Sequence, residues 1–154
     1  MENKNTVPED YTGIITYQNF INSYTETWFS PTYKAYTIDK NTLEQLTKRL
    51  DNYTIEMYIG TWCPDCQNEI PKLYKLLHLA GYNMQGLKTI ALDKNKESKQ
   101  GYEKNKNINF VPTIIFLDKN KEEINRIVET PKENLEKDIL KIISGEKYTP
   151  NNKL

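Results

Sequence analysis

The chain has 154 residues, a length that suits one domain and can bury a core without cross-links. Lysine plus arginine and aspartate plus glutamate both number 21, so no net charge draws the chain onto nucleic acid or an anionic membrane, and neither is expected as a partner. No apolar stretch approaches the ~18 residues of a membrane span. The start, Met1 to Asp10, is polar and has nothing like a signal h-region, which points to the cytoplasm, or to a periplasmic or other extracytoplasmic site if a leader has been removed.

Tyr17, Phe20, Ile21, Tyr24, Trp28 and Phe29 recur at helical spacing and predict an aromatic-faced helix that Pro31 stops. Tyr33 to Ile38 reads as a short extended stretch. Asp39 or Asn41 then caps a helix running to about Leu50, with Leu43, Leu46 and Leu50 on one face. Tyr53 to Ile59 reads as a strand, followed by a helix from about Cys63 to Ala80 that Gly81 ends. Leu87 to Leu92 is a second strand, and Glu97 to about Lys106 a charged, exposed helix. Thr113 to Leu117 and Glu123 to Glu129 form a hairpin around the turn-like Asp118-Lys119-Asn120-Lys121. Past Pro131, Leu135, Ile139, Ile142 and Ile143 make the apolar face of a last helix that ends at Gly145, and the tail from Glu146 is expected to be loose.

From Tyr53 the order is strand, helix, strand, helix, strand, strand, helix. The first two strands need a crossover and should be parallel, and the last two should be antiparallel. The expected class is therefore α/β, a mixed sheet with helices on both faces and an N-terminal helical extension. The expected organisation is an extension over residues 1–40 packed on the core, a domain over 41–145 and a tail over 146–154.

Both cysteines lie in Trp62-Cys63-Pro64-Asp65-Cys66, between the strand and the helix that follows it. That turn places Cys63 at a helix N-terminus, where unpaired N–H groups and the helix dipole favour thiolate, so Cys63 is the expected nucleophile. Cys66, one helical turn on, is placed to resolve a mixed disulfide formed on Cys63. A structural disulfide is the plain alternative, but closing so short a ring constrains the unfolded chain by only ~2 kcal/mol, against ~3 for a fifteen-residue loop. Two cysteines and one histidine fall short of a four-ligand zinc site, whereas two soft thiolates could hold Cu(I), which remains the rival reading alongside a non-catalytic binding module. No bound cofactor or metal is required for the redox chemistry. Asp65 puts a carboxylate between the sulfurs, which disfavours thiolate and should push the couple toward the reducing side.

These residues resemble the thioredoxin superfamily. The likeness rests on Trp62 to Cys66 after a strand, on Val111-Pro112-Thr113 opening the hairpin, and on the order of elements, and it covers about the last two thirds of the chain. It implies a thioredoxin-like fold, dithiol–disulfide exchange with protein disulfide substrates, and recycling by a reductase or thiol donor. By the same likeness Pro112 is the cis proline that lies against the dithiol, a trans proline opening the strand being the plain alternative. Val111 and Pro112 would meet substrate there, and Trp62 either flanks the site and contacts substrate or only shields it. Within the superfamily Gly60-Thr61-Trp62-Cys63, Cys66, Glu69 and Pro71 look like the TlpA-like thiol-disulfide oxidoreductases. That branch implies that Glu69 assists proton transfer near the dithiol, an ordinary exposed helix acid being the alternative. Pro71 frees the carbonyl of Gln67 and should kink the helix.

The departures are as informative. Thioredoxin places a buried aspartate six residues before the first cysteine, and here Met57 stands there. Glu56 is next door, but strand alternation points it to the opposite face, where a partner from the N-terminal segment is expected. Pro64-Asp65 replaces Gly-Pro and is expected to tune the couple. His78, about four turns past Cys63, is too far away to be its base, and is expected to interact with the helix C-terminus or to be exposed. The aromatic stripe of the extension is expected on the core rather than on a partner surface.

Overall fold

The structure is a computed structural model and describes residues 5–152. Local chemistry sets the helix ends. Thr16 caps α1 (Tyr17–Ile21) by accepting the Asn19 N–H, while Asn19 accepts the Thr16 N–H in return. Asp39 caps α3 (Lys40–Arg49), its carboxylate taking both the N–H and the hydroxyl of Thr42. Cys63 caps α4 (Pro64–Leu79) and Asn134 caps α5 (Leu135–Ile143). The chain leaves α4 through Gly81, at φ +68°, a left-handed exit that glycine takes without strain.

The aromatic stripe forms two helices where one was expected. The Thr25 hydroxyl, fully buried, donates to the Phe20 carbonyl and holds the corner after α1, and α2 (Glu26–Ala35) then runs through Pro31 and into the stretch expected to be extended. Pro31 removes one backbone donor. Packing along α4 outweighs that loss: Phe29 stacks on Phe20 at 5.1 Å and meets Tyr74 edge-on at 5.7 Å.

Five strands form one mixed sheet in the order β1-β3-β2-β4-β5. The central strand β2 (Thr54–Ile59) runs parallel to β3 (Leu87–Ala91) and antiparallel to β4 (Thr113–Leu117), which forms the expected hairpin with β5 (Glu123–Val128). β1 (Gly13–Ile14), which lies in the presumed extension, pairs antiparallel with β3. Two residues are too few to show alternation, so this strand left no trace in the sequence pattern. Through it the segment that also carries α1 and α2 borders the sheet.

The sheet's faces are covered differently. Tyr74 and Thr89 share a hydrogen bond of 2.7 Å, which sets α4 on the face that carries Met57 and Thr89. Opposite, the segment expected to be a helix over Glu97–Lys106 is a series of turns. Gly101 and Asn105 within it, and Lys96 and Asn107 on either side, take positive φ, and no right-handed helix passes through such residues. The segment is held by its contacts with the sheet instead: Tyr58 donates to the Tyr102 carbonyl, Lys88 lies 4.6 Å over the Tyr102 ring, and Lys106 pairs with Glu56 at 3.4 Å. The partners of Glu56 are thus Lys106 and the Tyr58 hydroxyl, not a group of the N-terminal segment.

Two further expectations are corrected. His78 is neither exposed nor engaged with the carbonyls ending its helix: its Nδ1 bonds the Tyr33 hydroxyl at 2.7 Å and its ring sits among Tyr17, Tyr33 and Tyr74, with burial lowering its pKa. The tail past Glu146 is tied down rather than loose. Tyr148 donates to the buried Asp138, Asn125 donates to the Tyr148 carbonyl, and Asn151 donates to the Thr130 carbonyl. Phe29 is 1% exposed and bridges α1, α2 and α4; Phe29→Ala should therefore cost ~3–5 kcal/mol, seen in urea unfolding as a lower midpoint with an unchanged slope.

Candidate active site

β2 ends at Ile59, and four residues turn the chain into α4. The Cys63 N–H bonds the Gly60 carbonyl, and the Gln67 side chain reaches back to the Thr61 carbonyl at 2.9 Å, so the turn is closed from both ends. Gly60 is required by close approach: a Cβ there would lie 2.3 Å from the Trp62 indole. The indole N–H donates to the Leu92 carbonyl at the end of β3, which fixes the ring beside the turn. Pro64 is the first residue of α4, where its missing N–H is no loss.

The two sulfurs sit in different surroundings. Cys63 is the N-cap, and its Sγ accepts the Cys66 N–H at 3.3 Å. The thiol of Cys63 also lies 3.5 Å from the Val111 carbonyl, to which it donates when protonated. Hydrogen bonding from the Cys66 side chain is the largest influence on Cys63. Burial opposes it, the N–H groups of Cys66 and Asp65 reinforce it, and the Asp65 charge opposes it least, leaving a pKa lowered to about 7. The repulsion expected from Asp65 is present but outweighed. Cys66 is fully buried, with only the Gly60 N–H directed at its sulfur at 3.4 Å, and burial pushes its thiol far up. The free, neighbouring pair is therefore one ready thiolate and one held thiol.

Cys63 is less open than its helix-end position suggested, at 7% exposure. The cover comes from Val111-Pro112, forty-eight residues along, where the peptide bond is cis and the Thr113 hydroxyl braces the turn by donating to the Phe110 carbonyl. Met57 is fully buried where an acid stands in thioredoxin. Glu69 is the nearest acid on the inner side of α4, three residues past Cys66 and 5% exposed, so it is not a surface acid. Burial raises its pKa, with Lys72 and the Asn68 amide, which donates to its Oε2 at 3.0 Å, pulling the other way.

One contact was invisible in the sequence. Tyr24 donates to the Thr61 hydroxyl at 2.8 Å and so joins the N-terminal segment to the active-site turn. No local pattern marks a pair thirty-seven residues apart. Among the described residues no three His, Cys, Asp or Glu side chains gather as a metal-ligand group. Nor is any helix among them long and apolar enough to cross a membrane.

A mixed sheet with a central parallel pair, a dithiol opening the helix after its middle strand and a Val-Pro turn over the sulfur define a thioredoxin-like protein. The chain belongs to the thioredoxin family, whose model matches residues 14–140. A solved protein of unknown function from Pseudomonas aeruginosa superposes with a TM-score of 0.54 at 16% identity, over 77% of this chain and 72% of that one. An HIV epitope-scaffold gives 0.53 at 17% identity, over 78% and 74%. Mitochondrial thioredoxin 3 from Saccharomyces cerevisiae, in its oxidized form, gives 0.41 at 17% identity, over 73% and 97%. No curated protein matches the chain. At such identities the first two likenesses speak for the fold, and the family together with the close cysteine pair supports a thioredoxin-like redox role in general.

Because thiolate is the reactive form, the alkylation rate of Cys63 should rise with pH through a midpoint near its pKa of about 7 and then level off, while Cys66 stays unlabelled at neutral pH. Iodoacetamide labelling with peptide mapping measures both. Asp65→Asn removes the opposing charge and should move the midpoint slightly lower; a move upward would reverse the sign assigned to Asp65.

Proposed function

We propose that the protein is a thiol-disulfide oxidoreductase that reduces disulfides of protein substrates through Cys63 and Cys66. The observation that carries this reading is the division of labour between the sulfurs, one lowered to a pKa of about 7 at a helix start and one buried behind it with its pKa raised. The Cys63 thiolate attacks one sulfur of a substrate disulfide; the S–S bond breaks, the other substrate sulfur leaves as thiolate, and a mixed disulfide forms on Cys63. Cys66 then loses its proton and attacks Cys63 Sγ. The Cys63–Cys66 disulfide forms, the substrate leaves with both its sulfurs reduced, and two electrons have passed to it. A dithiol donor or reductase must return the pair to the reduced form.

In this reading Trp62, Val111 and Pro112 flank the substrate polypeptide. Glu69 takes the Cys66 proton, the role that the likeness to TlpA-like proteins assigns to it. Its burial supports this, because a carboxyl with a raised pKa is a stronger base than a solvated one. The Gly60 N–H is placed to stabilise the Cys66 thiolate as it appears.

Insulin-disulfide turnover with dithiothreitol as donor tests the activity, and Cys63→Ser should abolish it. A Cys63 pKa of about 7 matches the thiol acidity typical of reducing members of the family. Equilibration with glutathione should accordingly give a potential of roughly −270 to −200 mV, and a value near −120 mV would mark an oxidant instead. Glu69→Gln should slow release of a trapped mixed disulfide by ~10²-fold while leaving Cys63 alkylation nearly unchanged. Equal release rates from pH 6 to 8 would remove Glu69 from the mechanism.

A further inference from the structure

On the Trp62 side of the dithiol lies a cleft of about 590 Å3, within the ~300–1,000 Å3 of sites that take small groups. The N-terminal segment supplies one wall, with Glu9, Asp10, Tyr11 and Tyr24; the active-site turn and the loop after β3 supply the others, with Trp62, Asp93 and Lys94. Two of its aromatic rings are fixed, Tyr24 by its bond to Thr61 and Trp62 by its bond to Leu92. Its charge is one-sided, three carboxylates against one ammonium. Asp93 spends part of its capacity on the N–H groups of Asn95 and Glu97, whereas Glu9 and Asp10 form no ion pair among the described residues. Both act on the Tyr24 hydroxyl and help to raise its pKa, after burial, which places their negative field at the aromatic wall.

Fixed aromatic faces beside uncompensated carboxylates are what a cationic side chain seeks, since ring and carboxylate both attract it and neither needs to reorganise. Trp62 directly precedes Cys63, so an extended peptide whose cysteine meets Cys63 carries its neighbouring side chains past this cleft at ~3.3–3.6 Å per residue. We propose that the cleft is a substrate subsite for an arginine or lysine side chain, carried by the substrate polypeptide within a few residues of the cysteine that Cys63 attacks. The proposal rests on the exchange reading above and deepens it by naming the substrate class. It also gives the N-terminal segment a task beyond covering the core, because that segment supplies two of the three carboxylates.

The test uses paired disulfide peptides that differ only in arginine or its neutral isostere citrulline beside the cysteine. The arginine peptide should be reduced with a kcat/KM about fivefold higher, the size of one exposed charge or cation–π contact. The preference should shrink toward one in about 0.5 M salt and in the double variant Glu9→Gln/Asp10→Asn, and persist in Glu44→Gln, which removes a charge from the exposed face of α3. Equal rates for the two peptides, or an unchanged preference in the double variant, would overturn the subsite while leaving the exchange reading intact. Calorimetry with the same peptides carrying alanine for cysteine keeps the two failures apart. If no peptide is reduced but the arginine form still binds more tightly, and the double variant abolishes that difference, the cleft stands as a cation site and the exchange reading falls.

Discussion

A helix begins with backbone N–H groups that have no partner inside the helix, and in α4 a sulfur accepts one of them. The bond from the Cys66 N–H to Cys63 Sγ makes that sulfur part of the helix cap, so the acidity of Cys63 and the stability of α4 rest on the same contact. Oxygen caps close other helices in the same way, at Thr16, Asp39 and Asn134. At Cys63 the cap also holds negative charge, since the donors that satisfy the helix end stabilise a thiolate as readily as a carboxylate. For this to work β2 must end one short turn before α4, and Gly60, Trp62 and Gln67 shape that turn.

The electrostatics of the dithiol are a competition in which position matters more than charge. Asp65 carries a full negative charge between the sulfurs, yet it counts for less than the donors aimed at Cys63. A hydrogen bond acts at contact distance, while an ion on the solvent side of a helix start is screened. The same rule separates the two acids flanking the inner cysteine and the strand before it. Glu56 is answered by Lys106 and Tyr58 on the face away from the dithiol, and Glu69, buried behind Cys66, has the Asn68 amide and the more distant Lys72 charge. Burial raises the pKa of Glu69 against the pull of Lys72 and the Asn68 amide, so it holds a proton more readily than a solvated carboxyl does.

The N-terminal segment is joined to the domain at three levels. Its strand β1 borders the sheet, its aromatic rings complete the cluster over α4, and Tyr24 bonds the active-site turn. Each contact alone is modest. Together they tie the wall of the cleft beside Trp62 to the sheet, to α4 and to the turn it faces.

What the sequence by itself determined is what short-range rules decide. The strand–helix–strand order from β2, the hairpin, the Asp39 cap, the glycine exit after α4 and the helix beginning just past Cys63 all follow from periodicity, capping and turn chemistry within a few residues. Only the tertiary structure decided that Pro31 could stay inside a helix, because rings from α1 and α4 repay the lost donor. It also decided that Glu97–Lys106 would be turns: a charged, helix-like composition yields to the chance of covering the Glu56 and Tyr58 face with Tyr102 and Lys106. The near-complete burial of Cys63 under Val111 and the bond from Tyr24 to Thr61 belong to the same class. Their partners lie tens of residues apart, and a contact closed by the fold leaves no periodic trace in the chain that makes it.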